Sequence, residues 1–193
     1  VKMVACGVCH TDSVVMNDIM PMPKPTILGH EGVGIVEQVG PGVIDLAVGD
    51  HVVMSYPSCG VCDACRAGHP YACSFAEYSI ANSRYCVKVD PTADLKMLCS
   101  LGCGIQTGAS SVMNVMHPDA GSSIVVFGTG AVGLAAIMAA KICGCSTIIA
   151  VDIVPSRLEL AMEVGATHTI NSKEVENVAE KVKEICGGKG ANY

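Results

Sequence analysis

The run Ile124-Val-Val-Phe-Gly-Thr-Gly-Ala-Val-Gly133, continued through Lys141 to Ile148-Ile-Ala-Val-Asp152, decides the fold. Ile124 to Phe127 reads as a short β-branched strand, Gly128, Gly130 and Gly133 punctuate a turn, and helix formers follow as far as Lys141. A second apolar run, Ile148 to Val151, ends in Asp152, about 20 residues beyond the last glycine. Strand, glycine turn, helix, strand, acid is the order of a dinucleotide-binding βαβ unit. The stretch from Ile124 to Val151 is long enough to cross a bilayer, but its glycines divide it into shorter elements, and no membrane partner is expected.

Each residue of that unit has a physical task. Gly128 permits the tight turn off the strand, Gly130 lets backbone approach a pyrophosphate, and Gly133 lets the helix pack closely on the sheet. The helix N-terminus presents unpaired N–H groups and a favourable dipole to the phosphates. Asp152 can accept hydrogen bonds from an adenosine ribose and repels a 2′-phosphate, which favours NAD over NADP; the nearby Arg157 is the residue type that reverses such a preference. Beyond Asp152, Pro155 to Val164 has helical periodicity, Thr167 to Ile170 is a third strand, and Lys173 to Ile185 is a charged helix.

Upstream the pattern changes. From Gly32 to Val53, short β-rich runs alternate with turn signals at Gly40-Pro41-Gly42 and Gly49-Asp50, which predicts a compact, barrel-like β module. His117-Pro118-Asp119 breaks the apolar pattern, so the expected division is a β-rich domain over 1–113 and a nucleotide-binding domain over 114–193. A net charge of -6, with the 12 Lys and Arg scattered, gives no electrostatic footprint for nucleic acid. Twelve cysteines, with no leader-like stretch, suggest metal ligands and reduced thiols in a cytoplasmic compartment.

Four of those cysteines, Cys59, Cys62, Cys65 and Cys73, have the dense local spacing of a closed tetrahedral zinc site. Four thiolates keep no open position, so that zinc is structural and catalysis belongs elsewhere. Cys9-His10-Thr11-Asp12, Gly29-His30-Glu31 and Cys103 are candidates for a second metal. A lone Cys is usually a small buried hydrophobe and a lone His a satisfied polar residue, but two thiolates with one imidazole make the open ligand set of a catalytic zinc.

On these motifs together the chain resembles a zinc-dependent alcohol dehydrogenase of the medium-chain dehydrogenase/reductase family, over nearly its whole length. Gly102-Cys-Gly-Ile-Gln-Thr107 and Asp152-Ile-Val-Pro-Ser-Arg157 are most similar to the aryl-alcohol (benzyl alcohol) branch. The resemblance implies a GroES-like β-rich catalytic domain, a partial Rossmann NAD-binding domain, and two zinc ions per chain. It makes Cys9, His30 and Cys103 the catalytic zinc ligands and the Cys59–Cys73 tetrad the structural site. Thr11 would take the alcohol proton, Asp12 would orient the metal shell, and Glu31 would sit behind the zinc. His10 would approach the pyrophosphate, Thr107 the nicotinamide, and Asp152 with Arg157 the ribose. The implied partners are a small alcohol or aldehyde and further copies of the chain, as a dimer or tetramer.

Departures from the family pattern carry their own expectations. Family members often end a proton relay in a His two residues after the aspartate, where Val14 stands here. Similar enzymes are longer before Val1, between Cys73 and Phe75, and past Tyr193, so the chain reads as a fragment or a truncated enzyme. A zinc-binding remnant without activity and a glutathione-linked formaldehyde dehydrogenase remain alternatives. Cys6, Cys86, Cys99, Cys143, Cys145 and Cys186 lack ligand spacing and read as packing.

Overall fold

Residues 1–22, 25–55 and 74–193 are described in the computed structural model and fall into two units, Val1–Cys103 and Gly104–Tyr193. The tetrad Cys59, Cys62, Cys65 and Cys73 lies outside the described residues.

In the first unit, strands β1 (Lys2–Gly7), β2 (Glu31–Ile35), β3 (His51–Met54) and β4 (Cys86–Lys88) form one antiparallel sheet in chain order. The period of two places successive side chains on opposite faces. Val33 and Val53, paired across β2 and β3, pack with Leu95 and Cys99 of a 3₁₀ helix spanning Leu95–Gly102. Val52 and Met54 pack on the other side with Val36 and Cys86. A short helix α1 (His10–Met16) follows β1 and buries Val15. This helix was not legible in the sequence, because its N-cap is Cys9, a residue without strong capping preference.

The second unit opens with α2 (Gly104–Ser110), which runs into a π-helical turn over Ser111–Met116. The expected division after residue 113 falls inside this stretch. Strands β5 (Ser123–Phe127), β6 (Thr147–Asp152) and β7 (His168–Asn171) form a parallel sheet in that order. Helices α3 (Ala131–Ile142), α4 (Pro155–Val164) and α5 (Val178–Ile185) alternate with the strands. Along β5, Tyr193 exchanges backbone hydrogen bonds with Ser123 and Val125.

A parallel sheet with helices on both faces needs strands that are apolar throughout, and β6 is an example. Its Ile148 and Ala150 join one core with Ile124, Ile137, Leu158 and Ala161, while Ile149 and Val151 join another with Ile170 and Val182. The expected strands and the helix from Pro155 to Val164 are therefore found within a residue or two of their predicted bounds. The expected helix from Lys173 is shorter and begins at Val178. Asn171 and Asn177 explain the difference: the Asn171 side chain accepts the Lys173 N–H in a turn, and that of Asn177 caps Ala179 and Glu180.

Ile148 is 1% exposed at the centre of the larger core. Ile148→Ala is expected to lower the stability of this unit by about 3 kcal/mol, read as an earlier urea midpoint at unchanged slope. A loss below about 1 kcal/mol would show that the site collapses around the deleted atoms.

Candidate functional site

Cys9 ends the extended segment after β1, and α1 begins at the next residue. The first turn is closed by Asp12, the third helical residue, whose Oδ2 accepts the Cys9 N–H at 2.9 Å. This is the backbone half of a capping box. The other oxygen of the same carboxylate, Oδ1, accepts the Gly29 N–H at 3.1 Å and faces His30 Nδ1 at 3.3 Å. Asp12 is 3% exposed, so one buried carboxylate joins α1 to the start of β2. A proton held on Nδ1 by Asp12 leaves the imidazole lone pair on Nε2, the form in which histidine ligates a metal.

Cys103 reaches the same place from the end of the 3₁₀ helix. Ser55, just past β3, donates its hydroxyl to the Gly102 carbonyl at 2.9 Å, and a Cβ on Gly102 would strike the Met54 carbonyl. The segment bearing Cys103 is thus pressed against β3. One ligand atom from each of Cys9, His30, Glu31 and Cys103 lies within 4.8 Å of the others. His30, Glu31 and Cys103 are buried and Cys9 is half-buried. Gly7 sits against Glu31, where any Cβ would meet the carboxylate.

This donor set fits a zinc ion. The two sulfurs are 4.0 Å apart, twice a disulfide bond, and near the ~3.8 Å separation of two thiolates on a tetrahedron with arms of about 2.3 Å. Two soft thiolates with imidazole select zinc over magnesium or calcium. Thr11 Oγ1 stands 3.8 Å from Cys9 Sγ, beside the donor set. Burial pushes the Cys6 thiol up to about 11, and also raises Cys86 and Cys99, so these cysteines stay protonated as packing groups.

In the second unit, Gly128 turns through a left-handed φ of +83° at the end of β5, and Gly130 is the N-cap of α3. A Cβ on either would meet nothing within 4 Å, so the loop is open on that side. At Gly133 a Cβ would run into the Gly128 carbonyl, which is the close packing expected of the third glycine. Asp152, 7% exposed at the end of β6, accepts from four donors: Thr129 N–H at 2.6 Å and Thr129 Oγ1 at 2.9 Å on Oδ2, Ile153 N–H at 2.7 Å and Val154 N–H at 3.0 Å on Oδ1. The Thr129 N–H is the largest influence, and against burial these donors hold the Asp152 carboxyl at about 2. Thr129 was not singled out by the sequence, since the middle of Gly-x-Gly is open to any residue. His10 is exposed at the start of α1, Thr107 is exposed on α2, and Arg157 is exposed in the first turn of α4.

Residues 1–91 match the model of the alcohol dehydrogenase GroES-like domain, and residues 131–193 that of the zinc-binding dehydrogenases. A Pseudomonas sp. protein described as a probable alcohol dehydrogenase is 39% identical over 96% of this chain and 70% of its own length. Geraniol dehydrogenase of Castellaniella defragrans is 34% identical over 100% of this chain and 61% of its own. The crystal structure of benzyl alcohol dehydrogenase from Acinetobacter calcoaceticus superposes with a TM-score of 0.86 at 44% identity, over 95% of this chain and 59% of that one. The chain therefore spans about three fifths to seven tenths of the length of these relatives. Among the described residues, no helix is long and apolar enough to cross a membrane.

Two outcomes test the geometry. Asp12→Asn is expected to weaken zinc binding by about 10- to 100-fold in chelator competition, because it unties the Cys9 and His30 segments together. Because its folded pKa lies below the unfolded value of about 3.9, Asp152 stabilises the fold above that value and loses its contribution as pH falls through about 2. Acid unfolding of wild type between about pH 4 and 2 should accordingly be steeper than that of Asp152→Asn; parallel curves would place the acid sensitivity elsewhere.

Proposed function

The chain belongs to the zinc-dependent alcohol dehydrogenases of the medium-chain dehydrogenase/reductase family, and we propose that it oxidises a primary alcohol with an apolar or aromatic body to the aldehyde, using NAD. The convergence of Cys9, His30, Glu31 and Cys103 within 4.8 Å carries this reading. Cys9, His30 and Cys103 are the proposed ligands of the catalytic zinc, with Glu31 behind it. Cys59, Cys62, Cys65 and Cys73 are the proposed ligands of a structural zinc. Bound zinc supplies the Lewis acidity that lowers the pKa of an alcohol, and NAD supplies the hydride acceptor.

The chain's own residues supply position and proton movement. Asp12 holds the Cys9 and His30 segments in register. Thr11 Oγ1, beside Cys9, is the proposed first acceptor of the alcohol proton. Val14 stands where family members often carry the next proton carrier, and the exposed start of α1, where His10 stands, is the proposed onward path from Thr11. Val8, Met16 and Ile19, close in sequence to the Cys9–Asp12 segment, are 80%, 71% and 74% exposed and are the proposed apolar contacts for the body of an alcohol such as benzyl alcohol. In the second unit, Gly128, Gly130 and Gly133 shape the proposed pyrophosphate loop, and the charge of Asp152 disfavours a 2′-phosphate. Thr107 and Arg157 are proposed on the nicotinamide and ribose sides, and His10 near the pyrophosphate. Twelve cysteines suit a reducing compartment, and the proposal extends to a cytoplasmic homo-oligomer acting on small molecules.

Zinc analysis with an NADH absorbance assay on NAD and benzyl alcohol tests this reading. Two zincs per chain with NADH formation are expected, and Cys103→Ser is expected to keep one zinc while turnover falls about a hundredfold or more. One zinc and no turnover in the wild-type chain would overturn it.

A further inference from the structure

Thr129 has no task in the nucleotide-binding reading, and the inference drawn from it deepens that reading and rests on it. It lies between two exposed glycines of the loop, yet it is itself 1% exposed and turned into the protein. Its hydroxyl donates to Asp152 Oδ2 at 2.9 Å, beside the bond from its own N–H to the same oxygen at 2.6 Å. Asp152 Oδ1 is held by the Ile153 and Val154 N–H groups at 2.7 and 3.0 Å.

Two of these four donors fall on each oxygen of the carboxylate. Three of the four are backbone N–H groups, which any side chains at these positions would leave in place. The hydroxyl is the one donor that the sequence chooses. Rotation of an aspartate carboxylate about its last torsion is otherwise broad, so two donors on each oxygen fix the plane of the group. They also couple the phosphate loop to the end of β6.

We propose that Thr129 is a positioning residue for dinucleotide binding, whose hydroxyl holds the Asp152 carboxylate in the orientation that receives the ribose hydroxyls of NAD and thereby strengthens discrimination against NADP. Valine replaces the hydroxyl by a methyl of similar shape, leaving Oδ2 with one donor and an apolar neighbour. The charge of Asp152 persists, so repulsion of a 2′-phosphate is unchanged while the directed bonds to a free ribose are weakened. Serine keeps the donor.

Fluorescence titration of the full chain with NADH and with NADPH, in the absence of alcohol, tests the assignment. For Thr129→Val the NADH dissociation constant should rise about tenfold with NADPH binding unmoved, so the NADH:NADPH preference narrows by the same factor. Thr129→Ser should restore the wild-type preference. Thermal melting without nucleotide separates a structural role, which would lower the melting temperature of Thr129→Val and leave the preference of the folded protein intact. An unchanged preference in Thr129→Val, or a Thr129→Ser variant as impaired as Thr129→Val, overturns the proposal. A wild-type chain that binds neither nucleotide overturns the nucleotide-binding reading and this inference with it.

Discussion

The Asp12 carboxylate is the tie on which the metal-ligand cluster depends. It is buried, and a buried charge is tolerated only where donors replace the water it has lost. Cys9 N–H, Gly29 N–H and His30 Nδ1 are those groups, and they lie on the irregular segments that continue the paired ends of β1 and β2, where Gly7 stands opposite Glu31. The ladder brings the two segments near each other, and satisfying one carboxylate fixes the thiol and the imidazole side by side beyond its end. The third element of the cluster, Cys103, arrives independently, through packing of the 3₁₀ helix on β2 and β3 and the Ser55 bond to Gly102.

A second buried carboxylate plays the equivalent part in the nucleotide-binding unit. Asp152 joins the glycine loop to the end of β6, so a turn rich in glycine, with large conformational freedom, is held at its middle residue. In both units an acid near a strand or helix terminus does what regular hydrogen-bond ladders cannot: it fixes an irregular segment relative to a regular one. The remaining loop surface, around Gly128 and Gly130, stays open to a ligand.

What was legible in the sequence was local. β5, β6 and α4 were readable because β-branched runs, glycine punctuation and a proline at the first helical position each act within a few residues. The metal-ligand cluster was not readable from spacing, because Cys9 and Cys103 are 94 positions apart and only tertiary packing brings their sulfurs to 4.0 Å. Family resemblance supplied that pairing. α2 was missed because Gly104 and Gly108 are poor helix formers; Gly108 is required there by close approach to the Val132 carbonyl on α3, an interaction the sequence does not display. Thr129 is not legible in the sequence because its value lies in the partner of its hydroxyl, 23 positions away.

The strict alternation along β6 also limits how this protein can change over evolutionary time. Ile148 and Ala150 serve one core, Ile149 and Val151 the other, and Asp152 follows at once at the loop. Exchange among aliphatic residues of similar volume costs little at such positions. Insertion or deletion of one residue would swap the two cores and carry the acid to the wrong side of the sheet. The length of this strand is therefore more constrained than its spelling, and drift in β6 is confined to substitution.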